Sequence, residues 1–346
     1  MFPLTMPHAV SVPYAATYRA HRQALGEHDR HLYDAIDQAV ARFEGDVLLP
    51  AAGTFGHAFD LYQMVAHDVC DYVHLSCSAH GSVDDASGDV RLALEYRMSA
   101  HEVQWVQHQM ERRAARLLRG IDRSASQAEI ALQVHDALLR DFSFDKDCHD
   151  EEGHDDAHFA CGALLGRCAV CDGYARAYKY LLDRVGIRSA VVWGQAGRRG
   201  DRENHAWAVV DMSDAVGASP RWRNVDITWD GSASFHGMIA HPFFGLGDAQ
   251  MAETHQRTSP GFDGRCQPGS FYVGAGRVLP RVSDVEQIAR SAGYPKRGLE
   301  IQLPTCSDAD ERLLAKCVAR RLRDAFDRPV RHRFIPEQRV ALFAAA

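Results

Sequence analysis

Three separated pieces of the sequence decide the fold: Gly166-Arg-Cys-Ala-Val-Cys171-Asp-Gly-Tyr-Ala175, Asn204-His205-Ala-Trp207 and Val225-Asp226-Ile-Thr-Trp-Asp230. A thiol stands at the start of a helical pattern, a histidine opens a largely apolar run, and a carboxylate lies in the next such run. In this order they supply the three parts of an activated-thiol site, which are a nucleophile, a base and a group that orients the base. The sequence therefore predicts a thiol enzyme that acts on amide or acyl groups.

The first piece opens a predicted helix that begins at about Cys171 and ends at Gly186, because glycine favours the left-handed conformation that stops helices. Its apolar face follows the spacing of a buried helix stripe and consists of Tyr174, Tyr178, Leu181, Leu182 and Val185. A helix start favours a thiolate, and the backbone N–H of Cys171 is a candidate donor to an oxyanion. Gly173, without a side chain, is expected to let a substrate approach the backbone closely.

The histidine and the carboxylate lie in predicted strands. Strands are predicted over 189–194, 205–212 and 223–228. A helix followed by short consecutive strands indicates an α+β layer in which the helix packs on an antiparallel sheet. Burying Asp226 is costly unless it is paired, and the ring N–H of His205 on the adjacent strand is its natural partner. Asp230 competes for this role, but it is predicted at the exposed end of the strand.

Taken together, these residues resemble the transglutaminase-like superfamily, in particular its bacterial members, which share the papain-like cysteine-protease fold. The resemblance covers about residues 126–250 and includes His135-Asp136 in the preceding helix. It implies that Cys171 is the nucleophile, His205 the base and Asp226 the orienting carboxylate.

The resemblance also implies a reaction. A glutamine side chain or a peptide carbonyl of a protein or peptide substrate would form a thioester on the nucleophilic cysteine. Water or an amine would then resolve that thioester, and hydrolysis by a peptidase or amidase is the preferred interpretation over glutamine acyl transfer. No metal and no organic cofactor is required for either outcome.

Three regions are predicted along the chain. Residues 1–120 form an N-terminal accessory region of mixed helix and strand, 121–250 the catalytic core, and 251–346 a C-terminal accessory region. Both accessory regions are predicted to contain helices and strands. Capping boxes mark helix starts at 99–102 and 126–129. Further predicted elements are a strand over 90–98, helices from Ser283 and Ser307, and a strand containing Val330, His332 and Phe334.

Composition narrows the partners and the compartment. The chain has 346 residues, a formal net charge of -7 and 46% apolar residues, and this acidic balance disfavours a nucleic-acid partner. The N-terminus lacks a basic, apolar secretory signal, and no apolar run approaches the roughly 20 residues that span a bilayer. Nine cysteines at irregular spacing favour a reducing compartment. We therefore expect a cytoplasmic protein without a membrane partner, while its oligomeric state stays open.

Two alternatives remain at this stage. Cys168 and Cys171 have C-x-x-C spacing, which is found in zinc sites and redox pairs. His149, His154, His158 and Cys161 lie near enough in sequence to complete a zinc site that stabilises the protein. The second alternative is an interaction module that keeps the fold with an idle triad. The acidic segment 145–156 lacks the glycine of a calcium-binding EF-hand loop and is interpreted as a solvated loop.

Overall fold

The computed structural model describes residues 17–141, 143–145, 155–198, 200–213 and 219–345. Within these ranges, helices pack with antiparallel sheets, so the predicted α+β class is confirmed. No helix in the described ranges is long and apolar enough to cross a membrane. Most of the predicted acidic loop, including His149 and His154, lies outside the described residues.

The first region packs helices against a small sheet. Its elements are helices α1 (Ala20–Ala24), α2 (Glu27–Ala41), α3 (Phe55–Asp68) and α4 (Ala100–Leu117) and strands β1 (Asp46–Leu49), β2 (His80–Val83) and β3 (Val90–Ala93). The capping box of Ser99 and Glu102 is confirmed at the start of α4. The strand predicted over 90–98 ends earlier, because the pairing of β1 and β2 with β3 stops at Ala93, and beyond it an isolated antiparallel bridge joins Tyr96 to Leu75.

The middle region contains the central sheet. Its helices are α5 (Gln127–Leu139), α6 (Cys171–Arg184), α7 (Ile227–Ala233) and α8 (Asp248–Met251), and its strands are β4 (Ser189–Arg198), β5 (Asp201–Asp211), β6 (Trp222–Val225), β7 (Phe244–Leu246) and β8 (His255–Arg257). In the described chain the antiparallel strands follow the order β7-β6-β5-β4-β8. Helix α6 packs on β4 and β5, so the predicted helix on an antiparallel sheet is present.

Strand register brings the second and third sequence motifs together. Val225, the last residue of β6, pairs with Ala208 of β5, so the next residue, Asp226, lies beside the chain that leads back to His205. The strand predicted over 223–228 is wrong beyond Val225. There the Asp226 side chain accepts hydrogen bonds from the N–H groups of Thr228 and Trp229 and caps the start of α7, which turns the chain from strand to helix.

The last region forms a second small sheet with helices. Its elements are α9 (Phe271–Gly274), α10 (Val285–Ser291), α11 (Asp308–Phe326), β9 (Leu299–Gln302), β10 (Val330–Ile335) and β11 (Val340–Ala345). The predicted cap at Ser307 is confirmed, since its side chain accepts from the N–H of Asp310. The helix predicted from Ser283 begins with a 3-10 turn over Val282–Asp284 before α10.

The hydrophobic side chains form one large core and several smaller ones. The large core contains Leu61 and Val65 of α3 together with Tyr178 and Leu181 of α6. The last region contributes a separate core that includes Phe343 of β11. The N-terminal region therefore packs against the middle region through a shared core. The division of the chain at residues 120 and 250 stays a prediction.

Candidate active site

Cys171 is the first residue of α6 and is partly exposed. It packs beside Ala175, Val191 and Ala206. No side chain among the described residues caps this helix at Val170, whose backbone is extended. The first N–H groups of a helix have no intrahelical acceptor and carry its positive dipole end. The N–H of Cys171 is therefore oriented as a predicted oxyanion donor requires.

Gly173 serves a different purpose from the one predicted. A Cβ atom at this position would lie 2.1 Å from the carbonyl oxygen of Ala157. The same carbonyl accepts a hydrogen bond from the N–H of Val170 at 3.1 Å. The glycine thus permits the close approach of the 3-10 turn Asp155–His158, not of a substrate, and this contact fixes the start of α6.

His205 and Asp226 form a close buried pair. The ring Nε2 of His205 lies 2.7 Å from Oδ2 of Asp226, and their side chains are 9% and 1% exposed. The other carboxylate oxygen, Oδ1, accepts from the N–H groups of Thr228 at 2.9 Å and Trp229 at 3.1 Å. Although burial opposes ionisation, the charge and hydrogen bond of His205 hold the pKa of Asp226 well below its usual range. The carboxylate is therefore ionised and held in one orientation.

The His205 ring also forms a hydrogen bond with the Cys171 thiol. Burial alone would lower the pKa of His205, but the Asp226 carboxylate and hydrogen bonds to Asp226 and the Cys171 thiol raise it to about 10. Because Nε2 is taken by Asp226, Nδ1 is the nitrogen left for the sulfur. The structure thus brings the three predicted residues together, and the ring is a cation beside the thiol at neutral pH. Their catalytic roles stay a prediction.

His255 is a member of this cluster that the sequence did not indicate. Its Nε2 lies 3.0 Å from Oδ2 of Asp226, and its Nδ1 lies 2.8 Å from the hydroxyl oxygen of Thr254. Burial lowers the pKa of His255 despite the bond to Asp226, so the ring is neutral and can donate its Nε2–H. A lone histidine in the short edge strand β8 carries no motif, and only the pairing of β8 with β4 brings it to this site.

Aromatic rings surround the two histidines. The ring centre of Trp229 lies 6.1 Å from that of His205 and 4.7 Å from that of His255. Trp207 stacks near His205 at 6.3 Å and donates its indole N–H to Asn224 at 3.0 Å. Both tryptophans therefore lie beside the site. They exclude water from the imidazole–carboxylate pair, which strengthens its electrostatic interaction.

A cleft of about 740 Å³ opens at His205. One wall comes from Trp229 and the ends of β4 and β5, and the facing wall comes from residues 333–337 of the last region. Cys171 is not among the residues that line this cleft. The C-terminal region therefore borders the approach to the site.

Asp230 differs from its prediction. It lies within α7, is fully buried, and accepts from the N–H of Phe243 at 2.7 Å. Its Oδ2 lies 3.1 Å from Nε2 of His135. Burial raises the pKa of Asp230 to about 6, against the lowering effect of His135. Asp230 therefore pairs with a different histidine and does not compete for His205.

Two groups in the described part of the chain have three ligand atoms close enough to hold a metal ion. They are His205, Asp226 and His255, and His135, Asp136 and His241, with ligand atoms within 4.8 Å of one another in each group. Neither group contains Cys168 or Cys171. The Cys161 thiol contacts Arg97 and Asp156 instead of another cysteine. Because His149 and His154 lie outside the described residues, the zinc alternative at Cys168 and Cys171 stays a prediction.

Part of the chain is similar to a known protein family. The family model of the transglutaminase-like superfamily matches residues 113–227, a range that includes Cys171, His205 and Asp226. A solved structure described as "Crystal structure of a TGase" is similar at 10% sequence identity and a TM-score of 0.32, over 46% of this chain and 46% of that chain. The matched part is thus less than half of that structure's length. No curated protein sequence matches the chain. Residues 113–227 of the chain are thus similar to the transglutaminase-like superfamily.

Proposed function

We propose that the chain is a cysteine-dependent enzyme that acts on amide or peptide carbonyl groups through a thioester. Cys171 is the nucleophile, His205 the general base and acid, and Asp226 the carboxylate that orients His205. The observation that carries the proposal is the buried His205 ring, which is held by Asp226 at 2.7 Å and is hydrogen-bonded to the thiol at the start of α6. Helix α6 on β4 and β5 is interpreted as a papain-like core.

The proposed reaction begins from an ion pair in which His205 has already taken the proton of Cys171, and the Cys171 thiolate attacks the carbonyl carbon. The carbonyl oxygen becomes an oxyanion near the N–H of Cys171, and the positive end of α6 stabilises its charge. The imidazolium then protonates the leaving nitrogen, the carbon–nitrogen bond breaks, and ammonia or an amine departs. A thioester on Cys171 and a neutral His205 remain.

Water is the proposed second substrate. His205 takes a proton from water, the hydroxide oxygen attacks the thioester carbon, and the carbon–sulfur bond breaks to give a carboxylic acid and the regenerated thiol. An amine in place of water would give a new amide, which is the protein-glutamine acyl-transfer alternative. The cleft at His205 suits a peptide or protein side chain, and the partial exposure of Cys171 leaves a thioester there open to water, which favours hydrolysis.

Other parts of the proposal rest on the sequence. The cysteines among the described residues form no disulfide, which agrees with action in a reducing compartment such as the cytoplasm. Residues 121–250 are proposed as the catalytic core, flanked by accessory regions. Protein or peptide is the proposed partner, and neither nucleic acid nor membrane is part of the proposal.

Mass spectrometry tests the proposal. The purified chain is incubated with a panel of glutamine-containing peptides and a labelled amine, and a Cys171→Ala variant is the control. Deamidated or cleaved peptide indicates hydrolysis, and peptide coupled to the amine indicates acyl transfer. Either product, together with an acyl adduct on Cys171, is expected from the unchanged chain alone. If no peptide reacts and iodoacetamide modifies Cys171 no faster than an ordinary exposed thiol, the chain is an idle interaction module.

A further inference from the structure

A second cluster of histidines and carboxylates lies apart from the thiol. His135 and Asp136 are neighbours on α5, and His241 lies in the connection between α7 and β7. Oδ1 of Asp136 lies 3.0 Å from Nδ1 of His135 and 2.8 Å from Nε2 of His241. His135 and His241 are buried, whereas the Asp136 side chain is 33% exposed. Two ring nitrogens and one carboxylate oxygen thus lie close together, and the partly exposed Asp136 side chain gives solvent access to them.

The remaining ring nitrogen of each histidine faces another carboxylate. Nε2 of His135 lies 3.1 Å from Oδ2 of Asp230, and Nδ1 of His241 lies 2.6 Å from Oε1 of Glu300. Histidines that bind metals usually donate their other ring N–H to a carboxylate in this way, which fixes the tautomer. In neutral rings these bonds leave lone pairs on Nδ1 of His135 and Nε2 of His241. Both lone pairs then face Oδ1 of Asp136, a position at which a metal cation can take the place of the ring protons.

The charges of the cluster suit a cation. Three carboxylates, those of Asp136, Asp230 and Glu300, surround two imidazoles, and the guanidinium of Arg277 lies 3.2 Å from Glu300. Although burial opposes protonation, the carboxylates raise the pKa of His135 and raise that of His241 to about 10, so ring protons balance the carboxylates in the metal-free chain. When a metal ion replaces those protons and the imidazoles are neutral, three negative charges and one positive charge leave an excess of two negative charges. Buried charges are costly unless they are neutralised. One divalent cation between the two rings and Asp136 balances this excess.

We propose that His135, Asp136 and His241 bind a zinc ion. Zinc accepts imidazole nitrogen and carboxylate oxygen at about 2.0–2.2 Å, and in a tetrahedron such bonds separate the ligand atoms by roughly 3.4 Å. The ligand oxygen and nitrogens therefore need to move apart by roughly 0.5 Å from their present separations. A water molecule completes the tetrahedron on the exposed side of Asp136. This site uses no cysteine, so it differs from the C-x-x-C alternative.

The surroundings suit a metal that stabilises the fold. The ring of Phe271 stacks on His241 at 4.3 Å, and the ring of Phe244 packs edge-on against His135 at 5.2 Å. Such an apolar shell limits water around a metal site. The ligands and the carboxylates behind them come from α5, α7, β9 and the chain before β7, so the ion would join the last region to the core.

The test measures zinc directly and does not depend on activity. The full chain, purified without chelators, is analysed by inductively coupled plasma mass spectrometry, and we expect about one zinc per chain. Metal-free chain, prepared with a chelator, is then titrated with zinc chloride by calorimetry and with cobalt chloride by visible absorption. We expect zinc to raise the melting temperature and cobalt to show the spectrum of a tetrahedral nitrogen and oxygen site, without thiolate charge-transfer bands.

Matched variants locate the ion. Asp136→Asn removes a ligand and should weaken zinc binding by more than about 100-fold, whereas Glu300→Gln changes only a carboxylate behind a ligand and should weaken it by about 10- to 100-fold. Asp226→Asn makes the same chemical change in the other cluster and should leave zinc affinity within about twofold of the unchanged chain, since it removes neither a ligand nor a carboxylate behind one. Circular dichroism checks that each variant folds.

Several results would overturn the proposal. An unchanged chain that is purified without zinc and takes up none on titration would overturn it, and this result needs no variant. Stoichiometric iron or manganese with no uptake of zinc would reject the assigned metal. Thiolate bands in the cobalt spectrum would place the ion at Cys168 and Cys171, and loss of zinc from Asp226→Asn alone would place it at His205. Absence of zinc, or a different metal at Asp136, would leave the proposed thioester chemistry unaffected, because that is measured on peptide products. Zinc at Cys168 and Cys171 or at His205 would contradict both proposals, since it would occupy the proposed catalytic residues.

Discussion

The two imidazole–carboxylate clusters share a plan but differ in what lies behind the rings. In each, one carboxylate oxygen meets two ring nitrogens, at Asp226 in one cluster and at Asp136 in the other. Around Asp226 the opposite nitrogens face the sulfur of Cys171 for His205 and a hydroxyl for His255. Around Asp136 they face two further carboxylates. The first arrangement directs one imidazolium at a nucleophile, and the second surrounds two imidazoles with three carboxylates, where a metal ion can replace the ring protons.

Helix α7 connects the two clusters. Asp226 caps its start, and Asp230, one turn later, pairs with His135 in the other cluster. At its far end, the guanidinium of Arg333 donates to the carbonyl oxygens of Ser232 and Ala233 at 3.1 Å and 3.3 Å, which satisfies acceptors that the helix leaves open. A movement of α7 would displace both carboxylates, so the proposed zinc site would help to fix the orientation of Asp226.

The largest effect is expected from removing the sulfur. Cys171→Ala should lower the rate of peptide turnover by at least about 10⁴-fold, because no other group can form the thioester. The control is Cys168→Ala, which changes a thiol three residues earlier and should retain turnover. Activity by mass spectrometry and the melting temperature check both variants. Unfolding of Cys171→Ala, or equal activity of the two variants, would indicate that the Cys171 thiol is structural.

The second prediction concerns the imidazole beside the thiol. His205→Ala should slow alkylation of Cys171 by iodoacetamide to the rate of an ordinary exposed cysteine, because the cation that favours the thiolate is lost. We expect a decrease of about 10- to 100-fold near neutral pH. The control is His332→Ala, since His332 lies exposed on β10. Unchanged alkylation in His205→Ala would contradict the proposed pairing, and the rate is measured by mass spectrometry of the labelled peptide.

The third prediction uses pH to distinguish the clusters. The pKa of His205 is raised to about 10 in the folded chain, whereas it is about 6.5 in an unfolded chain. The unfolded state therefore binds fewer protons between these pH values, so the contribution of His205 is complete below about pH 6.5 and is lost as the pH rises through about 10. Over this window the unchanged chain should lose roughly 2–4 kcal/mol more of its free energy of unfolding than His205→Gln.

Urea unfolding at a series of pH values measures this difference. The other titrating groups are common to both proteins, so their effects cancel in the comparison. Parallel pH dependence of the two proteins would show that His205 is not held as an imidazolium by Asp226. Repeating the series with zinc present tests whether the difference belongs to the Asp226 cluster, since binding at Asp136 should leave it unchanged.

The sequence predicted the parts of the site that have local signals. The thiol at a helix start, the two strands after it and the pairing of His205 with Asp226 follow from motifs and alternating patterns. The position predicted for Asp230 was wrong because the apolar strand pattern continues past Val225 in the sequence. In the structure, the Asp226 side chain caps a helix there instead. His255 and His241 each join a cluster through tertiary packing alone. Neither stands in a motif, so no local pattern could have assigned it a partner.

The smallest expected effect tests the second histidine on Asp226. His255→Ala removes one of two ring donors to Oδ2, which lets the carboxylate reorient and weakens its hold on His205; loss of such an outer partner typically costs about tenfold in activity. His255→Gln can restore an N–H donor to Asp226 and should recover most of the turnover. A positioning role thus predicts reduced kcat with a nearly unchanged KM, and rescue by Gln. Equal loss in both variants, together with a lower melting temperature, would mean that His255 acts only by filling the space among Trp207, Trp229 and Phe243.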